Sequence, residues 1–183
     1  MFAKNIARFF LKKKMAFSSK RKKTELFNFD AVKSVGIVFS ADNATQIEEI
    51  RKYMEGLHNK GKQLRAICFY KEKELPALTS SNLIIDIVLP KEVNFMGVPT
   101  ASFVNGFIQN EFDLLIDLNI NEVFPVEYVS AMSRASFKVG NYSKNNEAIF
   151  DVMIKIDQNK SVGYFIEQID TYLKMINKSA KRK

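Results

Sequence analysis

Two aspartates, Asp113 and Asp117, stand four residues apart in the apolar run Phe112–Asn119, and paired carboxylates suggest acid–base chemistry. On an extended strand both side chains point to one face, but at about 3.3 Å per residue they lie about 13 Å apart. Glycosidic carboxylate pairs work at about 5–9.5 Å, so this pair is too widely spaced for that chemistry. Asp117 is the more informative of the two. It closes a continuous apolar strand, and open α/β sheets bind ligands at the carboxyl ends of such strands. Ser40 and Asp42, just after the strand Val35–Phe39, would meet Asp117, Asn119 and Lys138 at that edge, with Glu122 close by.

Other chemistries lack their residues. The first strand-to-helix turn reads Ser40-Ala-Asp-Asn-Ala44, with no glycine to let backbone approach a pyrophosphate and with Asp42 to repel it. There is no Gly-rich Lys-Ser/Thr phosphate loop and no nucleophile elbow. No NAD, FAD or ATP chemistry is therefore expected, and no cofactor. The single histidine, His58, lies late in a helix with no nucleophile set beside it by any motif. One histidine and one cysteine exclude a His/Cys metal cluster, and no residue is assigned a catalytic or metal-binding role. Cys68, inside the apolar strand Ala66–Phe69, reads as a small buried hydrophobe; a lone thiol fits a reducing cytoplasm.

The elements that must position the Asp117 edge follow from periodicity. Val35–Phe39, Leu64–Phe69 and Phe112–Leu118 are predicted as central strands, Leu83–Val88 as a peripheral strand interrupted by Asp86, and Phe137–Gly140 and Ile149–Ile156 as further strands. Helices are predicted over 43–60, weakly over 100–110, over 125–134 from Pro125, and over 161–177. Asn43 or Thr45 can cap the first, with Gln46 or Glu48 closing a capping box and Gly61 stopping it. Strands that alternate with helices define one Rossmann-like, three-layer α/β domain with a mostly parallel sheet. Residues 24–177 are assigned to it, 1–23 to a basic amphipathic arm and linker, and 178–183 to a basic tail.

The net charge of +8 is unevenly placed. Lys4, Arg8, Lys12, Lys13, Lys14, Lys20, Arg21, Lys22 and Lys23 crowd the first 23 residues without one acid, and the last ten residues carry five more bases, Lys181, Arg182 and Lys183 among them. Residues 24–173 hold all 20 acids and are net acidic. An acidic domain between basic arms points to a polyanion, with RNA or the ribosome as the expected partner and no DNA sequence specificity. Residues 2–14 form an amphipathic pattern, with Phe2, Ile6, Phe9 and Phe10 on one arc and Lys4, Arg8 and Lys12 on another. An anionic membrane surface is the alternative partner, or else the Phe arc buries against the domain itself. No apolar stretch approaches the roughly 18 residues of a membrane span, and no secretory signal is evident. The expected location is cytoplasmic, free or peripheral on the inner membrane face. The acid-free start also matches an organellar presequence.

The passage Glu111-Phe-Asp-Leu-Leu-Ile-Asp-Leu118, followed by Ser133-Arg-Ala-Ser-Phe-Lys-Val-Gly140, resembles an uncharacterised family of short Rossmann-like proteins from Bacteroidota. That resemblance implies an α/β domain behind a basic N-terminal segment and no known activity. The same block is more distantly similar to the amino-terminal half of heptosyltransferase-like glycosyltransferases. In those enzymes a second Rossmann-like domain holds the nucleotide-sugar; this chain ends where that domain would begin and lacks the glycine of their first turn. The similarity implies a shared half-fold and, as a further alternative, a glycosyltransferase-like small-ligand domain.

Overall fold

The computed structural model describes residues 8, 9, 11, 13, 28–75 and 83–180, with side chains as far as Ile176. Six parallel strands form one sheet: β1 (Ser34–Ala41), β2 (Gln63–Tyr70), β3 (Ile85–Val88), β4 (Leu114–Asp117), β5 (Phe137–Asn141) and β6 (Val152–Ile154), in the order β3-β2-β1-β4-β5-β6. The order reverses between β1 and β4, where Val35 pairs with Leu114 and Val38 with Asp117. Among the described residues four helices cover it: α1 (Ala44–His58), α2 (Ser102–Gln109), α3 (Phe124–Met132) and α4 (Val162–Ala180).

Alternation along the strands divides the core into two layers. Val35, Ile37 and Phe39 of β1 and Leu114 and Ile116 of β4 meet Ile47, Ile50, Met54 and Leu57 of α1 and Phe165, Ile169 and Leu173 of α4. On the other face Val38, Ile67 and Leu115 meet Val104 and Phe107 of α2 and Val126 and Val129 of α3. The predicted α/β fold and its three central strands are those observed. The sheet strand around 149–156 is shorter than predicted: Ile149 and Phe150 lie in the preceding turn, and the Phe150 ring covers Gly140, leaving no room for a Cβ there.

Local signals end the helices as expected. Asn43 Oδ1 accepts from Gln46 N (3.1 Å), while the Gln46 side chain reaches one residue further back and accepts from Asp42 N (2.7 Å). Gly61, at φ +79°, turns the chain after α1. Pro125 sits in the first turn of α3, where a missing N–H costs no hydrogen bond. Among the described residues no helix is long and apolar enough to cross a membrane.

Candidate functional site

The carboxyl ends of β4, β5 and β6 surround a cavity of about 220 Å³. Asp117 and Asn119 line its floor, Asn121, Glu122 and Glu127 the side where the chain enters α3, and Asn141, Asn146 and Lys155 the side beneath the turns after β5 and β6. Asn141 fixes those turns: its Nδ2 donates to Ile120 O (2.6 Å) and its Oδ1 accepts from Ile156 N (3.2 Å). Asn146 Oδ1 is buried and has no hydrogen-bond partner among the described residues.

Asp117 itself is an anchor. Its Oδ1 accepts from Asn119 N (3.0 Å) and Nδ2 (2.7 Å), and its Oδ2 accepts from Ser130 Oγ (3.0 Å). Asn119 Oδ1 in turn accepts from Ser40 N (2.9 Å) and Ser40 Oγ (2.6 Å), so one chain of hydrogen bonds ties β1, β4 and α3 together. Burial pushes the Asp117 carboxyl up from 3.8 to about 6, against the hydrogen bonds from Asn119 and Ser130, with the charge of Glu127 adding to the rise.

The predicted edge is only partly assembled. Ser40 turns its hydroxyl inward to Asn119 and does not line the cavity. Asp42 lies exposed on the α1 side of the sheet and pairs with Lys71. Lys138 is a correction: it pairs in register with Leu115, two rows before Asp117, and its buried Nζ donates to Ser130 O (2.8 Å) and Ala131 O (3.4 Å). The ammonium there satisfies carbonyls at the C-terminus of α3, where the helix dipole is negative. Asp113, at the opposite end of β4, accepts from Lys33 N (2.8 Å) and Ser34 N (2.9 Å). Those amide bonds outweigh its burial and hold its carboxyl below the usual range. Asn141, Asn146, Glu127 and Lys155 were not foreseen in the sequence. The Asn-rich stretch after Gly140 carried the one usable signal, and it reads simply as a polar loop.

The basic arm reaches this site. Residues 8, 9, 11 and 13 are helical. Arg8 Nη2 lies 2.7 Å from Glu122 Oε2 and 2.9 Å from Glu127 Oε2, and its Nε donates to both Glu127 oxygens (3.2 and 3.1 Å). Burial opposes the charge on Arg8, but Glu127 and Glu122 outweigh it and raise its pKa. Glu122 is exposed; partial desolvation pushes its carboxyl up, but hydrogen bonds from Ser143, Asn145 and Arg8 outweigh this and lower its pKa. One turn on, Leu11 is 5% exposed and packs with Phe124, Val98, Tyr128, Ala131 and Met132. Phe9 is 56% exposed, with Lys13 Nζ 5.2 Å from its ring centre. The described part of the arm thus turns Arg8 and Leu11 to the domain and Phe9 outward; Phe2, Ile6 and Phe10 of the predicted apolar arc lie outside the described residues. Charge complementarity at Glu122 and Glu127 decides the orientation. Lys4, Lys12, Lys14, Lys20, Arg21, Lys22, Lys23, Lys181, Arg182 and Lys183 lie outside the described residues.

The strand order and the cavity at the carboxyl edge define a Rossmann-like α/β domain. The chain belongs to a family of unknown function (DUF6913), which it matches over residues 4–176, the basic arm included. No protein of curated function matches it. Among solved structures it is similar to the glycosyl transferase family 9 protein from Veillonella parvula DSM 2008, with a TM-score of 0.53 and 12% identity. That match covers 83% of this chain and 43% of the other, so the chain spans less than half of that protein. At this identity the likeness is one of fold.

Proposed function

We propose that the protein binds a compact polyhydroxyl molecule, of the size of a monosaccharide, in the cavity at the ends of β4, β5 and β6. The observation that carries this reading is the polar lining of the cavity, where the amides of Asn119, Asn121, Asn141 and Asn146 and the carboxylates of Asp117, Glu122 and Glu127 stand together with Lys155. Side-chain amides both donate to and accept from hydroxyl groups and carboxylates accept from them, whereas three lining carboxylates disfavour a phosphate. At about 220 Å³ the cavity is below the roughly 300–1,000 Å³ of sites for drug-sized ligands, which favours one small ring. The glycosyl transferase with the same half-fold is compatible with a sugar here. Binding rather than catalysis is assigned, because both oxygens of Asp117 are engaged by Asn119 and Ser130. The test is saturation-transfer NMR on the full chain with a panel of monosaccharides, with Asn146→Leu as the control. Saturable millimolar or tighter binding, abolished in the variant, is expected. No binding across the panel, or equal binding by the variant, refutes the reading.

A second reading rests on the charge segregation: the chain is also an RNA- or ribosome-associated cytoplasmic protein acting through its arms. Nine bases without an acid in residues 1–23 favour it, as does an outward Phe9 beside Lys13. Charge reversal at Lys20–Lys23 is then expected to weaken RNA binding and lower its salt slope by about 0.7–0.9 for each phosphate no longer neutralised. Binding that instead follows Phe9→Ala, and anionic vesicles rather than RNA, assigns the arm to a membrane surface.

A further inference from the structure

We infer that Lys155 forms a carboxylate-binding subsite on the β6 side of the cavity, so that the molecule bound there is a polyhydroxyl compound bearing one carboxylate, of the uronic acid class. The inference rests on the cavity being the binding site and adds to that reading the charge of the ligand.

Charges around the cavity are unequally matched. Among the lining acids, Asp117 has both oxygens engaged by Asn119 and Ser130, and Glu122 and Glu127 share the guanidinium of Arg8. Among the described residues the lining holds one base, Lys155. Its side chain makes no ion pair and no hydrogen bond with any of them. One wall therefore carries carboxylates already supplied with donors, and the other carries an ammonium with three donors to offer.

The position of that ammonium's stem is set by the fold. On one side of it Ile154 O accepts from Tyr142 N (3.1 Å), and on the other Ile156 N donates to Asn141 Oδ1 (3.2 Å). Ile154 and Ile156 are both buried, while Lys155 between them is exposed. Its backbone is thus fixed before any ligand arrives, and binding has only the side chain to order. In the sheet β5 separates β6 from β4, so Lys155 stands two strand spacings, about 10 Å, across from the strand that Asp117 ends. One sugar ring with its substituents bridges such a gap, hydroxyls toward the amides and an exocyclic carboxylate toward Lys155. A single ammonium matches a single negative charge. A phosphate dianion would bring a second charge toward the lining acids, which repel it. A carboxylate also gains charge-assisted hydrogen bonds that a neutral hydroxymethyl group cannot make.

The probes are glucose, glucuronate and glucose 6-phosphate, titrated into the full chain and followed by amide NMR shifts of residues 117–122 and 152–156. Glucuronate is expected to bind about tenfold tighter than glucose, and tighter than glucose 6-phosphate. Lys155→Gln is expected to erase the preference for glucuronate, and Lys155→Arg to keep it. In the wild type, raising the salt concentration should narrow the gap between glucuronate and glucose, a reading that needs no variant. Equal affinity for the two, a preference that survives in Lys155→Gln or ignores salt, or tightest binding of glucose 6-phosphate overturns the inference. Glucose bound with no gain for glucuronate refutes the acidic ligand alone and leaves the polyhydroxyl reading standing. No binding of any of the three refutes both.

Discussion

Replacing Asp117 by Asn should stabilise the protein at neutral pH and leave it little changed near pH 4. The folded chain holds the Asp117 carboxyl at about 6 against an ordinary 3.8, because the group is buried. A folded-state pKa raised above the unfolded value means that the native state binds the proton more tightly. Stability from this residue is therefore present below about pH 4 and lost as pH rises through about 6. At about 1.36 kcal/mol per pKa unit, that loss amounts to about 3 kcal/mol. Asn removes the titration while keeping the shape. Its oxygen can accept from Asn119 N and Nδ2 as Asp117 Oδ1 does, and its amide can donate to Ser130 Oγ, which turns from donor to acceptor. The informative quantity is the difference in unfolding free energy between Asp117→Asn and wild type, measured by urea denaturation followed by far-UV circular dichroism from pH 4 to 7. Other titrating groups are common to both chains and cancel. The difference should grow by about 3 kcal/mol in favour of Asn, mostly below pH 6.5. A difference that stays flat with pH, or that moves toward wild type as pH rises, would refute the view that Asp117 is a strained buried anchor.

Gly97→Ala should destabilise by about 2–4 kcal/mol in thermal melts, because φ is +80° and the new Cβ would lie 2.6 Å from Phe124 Cδ1. Gly61→Ala, at φ +79° but in open space, should cost only the backbone part, about 1–2 kcal/mol; equal effects would show that the Phe124 contact is immaterial. Cys68 is fully buried and its thiol is pushed up to about 12 by burial, so an aromatic disulfide reagent should label it only at the rate of unfolding; fast labelling of the folded chain would contradict the core assignment. Lys138→Met should cost about 1–3 kcal/mol in denaturant melts by leaving carbonyls of α3 without their donor, and a neutral result would mean that water replaces the ammonium there.

The sheet was legible because its signals are local. A continuous apolar run such as Phe112–Leu118 names a buried parallel strand by itself, and the stripe Phe165, Ile169, Leu173 names a helix by its period. Asp117 was placed correctly because its position is fixed by the strand it ends. Lys138 was misplaced because a strand's register is a relation between two segments: only the pairing of Leu115 with Lys138 shows that it falls short of the carboxyl edge. Arg8 shows the same limit. A helical wheel sorts it onto a polar arc, but the carboxylates that attract it, Glu122 and Glu127, lie 114 and 119 residues away. Asn146 is held in a turn of the chain after β5, and turn geometry leaves no periodic trace.

The two outer strands, four residues in β3 and three in β6, bound the sheet with very little free edge. Strand edges are where folded chains recruit one another into aggregates, and short, charged edges suppress that growth. At β3 the charge is Asp86, held by Arg65 of the neighbouring strand through an Nη2–Oδ2 contact of 2.9 Å. An added strand would meet this ion pair and run out of pairing partners within a few residues. The interrupting aspartate that marks β3 as peripheral in the sequence thus also blunts that edge of the folded sheet against the addition of a further strand.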